Sequence, residues 1–502
     1  MTATASATET TTLVTENSLP TMLDQILADA GYKRDDPACW EILQAGLKEV
    51  LVEGASRPKD AVLDADAVAR MIATLEQRLS AQLDEIMHNK KFLALEAAWR
   101  EVHYLVDHAA RRATNDDCGN AQVVLLDTTK DDLYADLRGQ SAIDRTQLFR
   151  KIYTPYDQLG GEPYGLLCTS FEFSYAGRDI DILKRMAQIG EAAHAPVLAN
   201  AGPEMFGCKD YKEMVGRPTI ANLAGPEYIQ WKSFRESDQA RYVGLCMPRF
   251  LLRRPYGRDN EIVETFDYEE QVQHSPQNFV WGHASVALAA RSIDSFLRHG
   301  WCVNIIGPRA GGAVEDLPIY HFNALGKRQA RCPLEVAFRE SQSVELEQAG
   351  FIPMEYELES DRGCFFSAAS AQAPRRFANT PEGKVAESNF RIGAQLPYLF
   401  IACRFAHYLK VFHRAEIGTA KTPQEIQSEQ TKWLGQFVVA NDAGEAIRAK
   451  KPLRKAAVVV EEIPGRPGQY RSRIELVPYF RVHAMDITLS LVSRTRQEKQ
   501  AS

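Results

Sequence analysis

The chain has 502 residues, a net charge of −7, and hydrophobic and charged fractions of 45% and 25%, which are those of an ordinary soluble protein. That length admits about two to four domains around a sizeable core. The acidic balance disfavours generic nucleic-acid binding, and no apolar run reaches the ~18 residues of a membrane span. The nine cysteines, scattered from Cys39 to Cys403 without a Cys-x-x-Cys pair, suit reduced thiols in a cytoplasm.

The first sixteen residues are Thr/Ala-rich and lack the basic and apolar regions of a signal peptide. A short amphipathic helix is expected next, with Leu19, Met22, Leu23, Ile26 and Leu27 on one stripe, Ser18 as its cap and Gly31 as its end. A helix this short is marginal alone in water, so it either packs on the body or is presented to a partner groove. Two longer helices follow. One runs from about Ala65 to Met87, with Val68, Met71, Ile72, Leu75, Leu79, Leu83 and Ile86 on a stripe. The other runs from Lys91 to Ala109, with Phe92, Leu95, Trp99, Val102 and Val106. His103 and His108 are five apart, which is not metal-ligand spacing on a helix, and no zinc-like cluster is evident.

From Gln122 the pattern becomes α/β. Strands are expected at Val123–Leu126, Tyr164–Phe173, Pro196–Ala199 and Trp301–Ile306, and helices at Asp179–Ala193 and Val280–His299. Long connections at Asp259–Asn278 and Gly307–Asn323 read as surface excursions. The turn Gly307-Pro308-Arg309-Ala310-Gly311-Gly312 follows an expected strand as a phosphate loop would. It lacks the Lys-Ser/Thr of that motif and is followed by Glu315 and Asp316, so a plain glycine-rich turn is the better reading. Glu172, Asp179 and Asp181 could do acid/base work, but nothing in the pattern raises them above solvated or helix-capping carboxylates.

The C-terminal stretch is the most regular. Val458–Ile463, Tyr470–Val477 and Ile487–Val492 read as three strands, the first two joined by the turn Pro464-Gly465-Arg466-Pro467-Gly468. Three strands leave two open edges, which a neighbouring chain could fill by strand addition. Ahead of them, a helix at Arg404–Ile417 carries Phe405, Leu409 and Phe412 inward, with His407, Lys410 and Arg414 on another face.

Several stretches resemble one family. Phe92-Leu93-Ala94-Leu95-Glu96-Ala97-Ala98-Trp99-Arg100 is similar to a Phe-x-x-Leu-Glu-x-x-Trp-Arg signature of the TssC (VipB) family, the large subunit of the type VI secretion contractile sheath. Trp231-Lys232-Ser233-Phe234-Arg235-Glu236-Ser237, Arg254-Pro255-Tyr256-Gly257, Arg404-Phe405-Ala406-His407-Tyr408-Leu409-Lys410 and Pro464–Tyr470 extend the resemblance over roughly residues 65–495. Glu101 departs from the pattern, where the family has Gly, and Tyr479-Phe480-Arg481-Val482 replaces its His-Phe-Gln-Leu.

The resemblance implies a mixed α+β and α/β, contractile tail-sheath-like fold. Its expected parts are a flexible leader with a recognition helix (1–60), a helical region contacting the small subunit (61–120), a middle α/β domain (121–385) and a C-terminal domain with strand exchange between protomers (386–502). It implies a cytoplasmic structural protein with no catalysis, cofactor or metal, which pairs with the small subunit TssB, polymerises around the Hcp tube, contracts, meets baseplate components and is dismantled by the ATPase ClpV. The ATPase would read Leu19, Met22, Leu23, Ile26 and Leu27. Inter-protomer strands would carry Val458, Val459, Val460, Ile474, Leu476, Ile487 and Leu489, and His407, Lys410 and Arg414 are candidates to face the tube. A soluble α/β enzyme with an unrecognised active site is the alternative.

Overall fold

The computed structural model describes residues 65–110, 121–139, 142–217, 223–264, 266–272, 275–324, 326–375, 377–439, 444–462 and 470–479. The chain separates into two units, residues 1–78 and 79–502. Of the first, only the helical run 65–78 is described. The recognition helix expected at Leu19–Leu27 lies outside the described residues.

The elements that matter to function are these, in chain order. Helices α1 (Ala65–Met87) and α2 (Lys90–Ala110) come first, then α3 (Lys130–Gly139) and α4 (Gln147–Asp157). Strand β1 (Leu167–Phe173), helix α5 (Gly177–Ala193), strand β2 (Val197–Ala201), helix α6 (Ile229–Arg235) and strand β3 (Val243–Met247) follow. Next are α7 (Ala284–His299), β4 (Ala313–Val314), β5 (Phe351–Tyr356) and β6 (Gly363–Phe365). The C-terminal part holds α8 (Leu396–Glu416), α9 (Pro423–Gly435), β7 (Leu453–Glu462) and β8 (Tyr470–Pro478).

A six-stranded sheet in the order β1-β2-β3-β5-β6-β4 forms the centre. The first four strands are parallel, with Val197 opposite Val243 and Leu245 opposite Phe351; β6 and β4 add antiparallel pairs. Every residue of β2 and β3 is buried, as expected of parallel strands covered on both faces. One face packs against α5 and α6 through Ile182, Leu183, Ile189, Trp231 and Phe234. The other packs against α7 and the start of α8 through Ala287, Leu288, Leu396 and Phe400.

Three sequence expectations are corrected. Val123–Leu126 forms no strand and is not buried: Val124, Leu125 and Leu126 are exposed, because no ladder partner lies beside them among the described residues. Trp301–Ile306 is buried at Trp301, Val303, Ile305 and Ile306 but forms no strand: the Trp301 carbonyl accepts from Ser295 Oγ and the Asn304 amide donates to it, in place of ladder bonds. The connections Asp259–Asn278 and Gly307–Asn323 are only partly surface excursions, since Tyr268, Glu270 and Val272 are buried in the first, and Val314, Leu317 and Tyr320 in the second, which also contributes β4 to the central sheet.

Candidate assembly interface

The C-terminal hairpin is built by period-two alternation. Strands β7 and β8 pair antiparallel with Val458 opposite Ile474, Val460 opposite Ser472 and Ala456 opposite Leu476. Val458 and Val460 are buried, Ile474 and Leu476 half-buried, and Val459 between them is exposed. The inner face rests on an apolar cluster drawn from α8 and α9, with Phe405, Leu409, Ile426 and Leu434, and from Trp301. Its centre is aromatic: the Trp301 and Phe405 rings lie 4.8 Å apart, and Trp433 and Phe437 5.2 Å. The first strand begins at Leu453, five residues before the sequence pattern places it, because its polar start is held by backbone pairing rather than by apolar alternation.

The two edges of this hairpin differ. On β7, the Val460 amide donates to Gln427 Oε1 of α9 at 3.1 Å. The Leu453 amide donates to the Phe437 carbonyl at 3.2 Å, and the Val439 amide to the Leu453 carbonyl at 3.1 Å. That edge is engaged at both ends. An amide that reaches α9 points away from β8, so Val460 and Ser472 form a non-hydrogen-bonded pair. By the same alternation the main-chain groups of Ser472, Ile474 and Leu476 face outward on β8, and none has a backbone partner among the described residues. Only two strands are described here; the third expected strand, with Ile487 and Leu489, lies outside the described residues.

The basic face expected on α8 is turned inward. His407 is buried, with Nε2 2.9 Å from the Ala193 carbonyl, and burial pulls its pKa down to about 4, so it is neutral. Lys410 Nζ lies 3.0 Å from Asp157 Oδ1 and 3.7 Å from the centre of the Tyr156 ring. Arg414 reaches Asp157 Oδ1 at 3.1 Å and donates to the carbonyls of Tyr156 and Asp157 at 3.1 and 2.8 Å. These carbonyls end α4, where a helix dipole favours cations. The hydrogen bond from Lys410 holds the Asp157 carboxyl below its ordinary range. His407 therefore ties α8 to the end of α5, and Lys410 and Arg414 tie it to the end of α4, within the chain instead of forming a free basic surface.

Helix α2 is amphipathic with its faces reversed. The stripe that sequence periodicity selects is outside: Leu95 is 58% exposed, Trp99 63% and Val106 46%. Phe92, Trp99 and Val106 recur every seven residues, as do Leu95 and Val102, which is the a/d spacing of a coiled-coil seam. Leu79 and Ile86 continue exposed apolar positions on the end of α1 at the same interval. A groove of about 500 Å³, lined by Ile86 and Phe92 with Gln82, Glu85 and Asn89, opens beside them.

The polar face of α2 docks on the body instead. Arg253, itself buried, lies between Glu96 at 2.7 Å and Glu270 at 2.6 Å. Glu101 pairs with His283 Nδ1 at 2.6 Å, His88 lies 3.4 Å from Glu270 and His108 3.5 Å from Asp294. Burial opposes the charge on Arg253, but its hydrogen bond and attraction to Glu270, with Glu96 adding to them, keep it firmly protonated. Sequence periodicity misses all these residues. The signals for them in the sequence are Glu96, which stands in the motif that resembles the family's, and Glu101, which stands where that resemblance leads one to expect Gly.

Two of the three carboxylates weighed as acid/base groups have structural partners, and the third, Asp181, is exposed on α5. Asp179 accepts from the Ser174 amide and hydroxyl at 2.7 and 2.8 Å at the start of α5 and from Lys130 at 2.8 Å, and Glu172 lies 3.5 Å from Arg249. No group of metal-ligating side chains occurs among the described residues, nor any helix long and apolar enough to cross a membrane.

Comparison with known proteins gives a consistent match. The VipB model, described as the EvpB tail sheath N-terminal domain, matches residues 69–372, and a second VipB model, the tail sheath gpW/gp25-like domain, matches residues 385–495. The type VI secretion system sheath protein TssC1 of Pseudomonas aeruginosa is 36% identical over 443 residues, which cover 87% of each chain.

Proposed function

The chain belongs to the TssC (VipB) family of type VI secretion sheath proteins, and from that premise we propose that it pairs with the small sheath subunit, TssB, and stacks as heterodimers around the Hcp tube, which the assembly drives outward by contraction. The observation that carries this reading is the reversed α2. An apolar heptad seam left in water is unfavourable by about 1.5–3 kcal/mol for each large side chain that a partner could bury. A partner helix of matching spacing would cover it, and we assign that helix to the small subunit. The role of residues 61–120 is then contact with TssB, and that of residues 386–502 is contact between protomers.

Strand addition at the C-terminal hairpin supplies those contacts, with Val458, Val459, Val460, Ile474 and Leu476 in the accepting sheet and Ile487 and Leu489 in the further strand. The outward main chain of β8 supports this. The sheath works in the cytoplasm, meets the baseplate at one end, and is taken apart by ClpV through Leu19, Met22, Leu23, Ile26 and Leu27. The chain itself catalyses nothing, and the work comes from the metastable extended lattice.

Co-expression with the small subunit, followed by negative-stain electron microscopy, tests the reading. A soluble heterodimer and hollow tubes are expected. A stable monomer that neither binds the small subunit nor polymerises would overturn it.

A further inference from the structure

The turn after Ile306 carries a feature that the assembly reading does not use. A cavity of about 100 Å³ lies between the last two turns of α7 and the loop Gly307–Gly312, with Arg291, Arg298 and Arg309 in its wall. Gly311 has φ 97°, and a Cβ there would stand 2.2 Å from the Asn304 carbonyl oxygen, so only glycine closes the loop this tightly against the cavity wall.

The charges around the cavity do not balance. Arg291 pairs with Asp294 at 2.7 Å, and Asp294 also lies 3.5 Å from His108, so the one carboxylate in the wall is already neutralised. The Arg291 Nε is buried without a hydrogen-bond partner among the described residues. Arg298 and Arg309 are exposed at the rim, and neither makes an ion pair among the described residues. The helix dipole favours Arg298 in the last turn of α7, but it says nothing about Arg309, which comes from the loop. Two guanidinium groups from two elements, Arg298 and Arg309, thus border one small polar space, with the Arg291–Asp294 pair behind them.

We propose that this cavity binds a compact oxyanion. Guanidinium groups match the oxygens of phosphate, sulfate or carboxylate, which they can grip with paired hydrogen bonds. The volume excludes a nucleotide, whose sites run to roughly 300–1,000 Å³. The oxyanion is either free inorganic phosphate or an Asp or Glu carboxylate carried by a neighbouring chain of the polymer; the second source rests on the assembly reading above, the first does not.

The test compares wild type with the double variant Arg298→Ala/Arg309→Ala, both purified with the partner that keeps them soluble. Thermal unfolding is followed in inorganic phosphate and in chloride at equal ionic strength. A rise in Tm of a few degrees in phosphate for wild type, lost in the variant, assigns the site to the free ion. No phosphate response in wild type, together with loss of tube formation by a variant whose Tm in chloride is unchanged, assigns it to a neighbour's carboxylate. An equal phosphate response in both proteins overturns the proposal, as does no response combined with normal tubes from the variant. Because the phosphate arm needs no polymer, its result is independent of whether tubes form at all.

Discussion

One carboxylate oxygen of Glu101 holds His283 twice, accepting from its amide at 2.7 Å and lying 2.6 Å from its Nδ1. Glu101 is 2% exposed, so this contact fixes α2 to the entry of α7 in a setting with little water. The glycine that the resemblance leads one to expect at this position could make neither bond.

The pair predicts a pH dependence. Burial lowers the pKa of His283, but the charge and hydrogen bond of Glu101 together outweigh it, and the net shift is upward from 6.5. A folded-state pKa above the unfolded value means stability that is fully present below the unfolded pKa and lost as pH rises through the raised one. The Tm difference between wild type and His283→Gln should be largest at or below pH 6.5 and shrink as pH is raised beyond it. A difference that stays constant over that range would remove charge from the account.

Arg253 should be the most sensitive point of the same contact. Arg253→Ala leaves Glu270 and Glu96 without their shared partner, and stranding a buried charge in this way costs about 3–5 kcal/mol. Denaturant unfolding measures the loss. A cost below about 1 kcal/mol would mean that water replaces the guanidinium freely.

The exposed seam gives the opposite kind of variant. Leu95→Asp with Trp99→Asp should leave the Tm of the isolated chain almost unchanged, because both side chains are already in water. Binding of the small subunit should weaken by at least about a hundredfold, from roughly 1.5–3 kcal/mol per lost apolar contact. Normal binding by this variant would place the partner elsewhere.

These contacts also show where the sequence is readable. Periodicity finds α2 and its stripe, since apolar spacing depends only on helix geometry. It does not reveal which face meets the body, because Glu96, Glu101 and His108 dock through polar partners that are remote in sequence. The same blindness affects α8. The spacing of His407, Lys410 and Arg414 looks like a solvent face until Asp157 and the end of α4 are brought beside it. Val458, Val460, Ile474 and Leu476 are legible because alternation alone sets their side, and Val123–Leu126 is not, because a strand needs a neighbour that composition cannot name.

The hairpin edge can be tested by register. The amide of Ile474 faces outward and that of Arg473 faces β7. Ile474→Pro should therefore remove one outer donor and keep the hairpin, giving a soluble heterodimer without tubes, whereas Arg473→Pro breaks the hairpin itself. Ile474→Ala, which loses the packing but keeps the amide, should still polymerise. Tubes from Ile474→Pro would show that no strand adds at that edge.

Helix α8 belongs to two cores at once. Leu396, Leu399, Phe400 and Cys403 join it to the layer over the central sheet, while Ile401, Phe405 and Leu409 join it to the floor of the hairpin. Its 21 residues make a rod of about 31 Å. A pull on the hairpin cannot be absorbed by a slack connector, since the same stiff element sends buried side chains into both cores along Leu396–Leu409. In a lattice that shortens, load taken at a neighbour's strand would pass along this rod into the parallel sheet, making it a tie bar rather than a hinge.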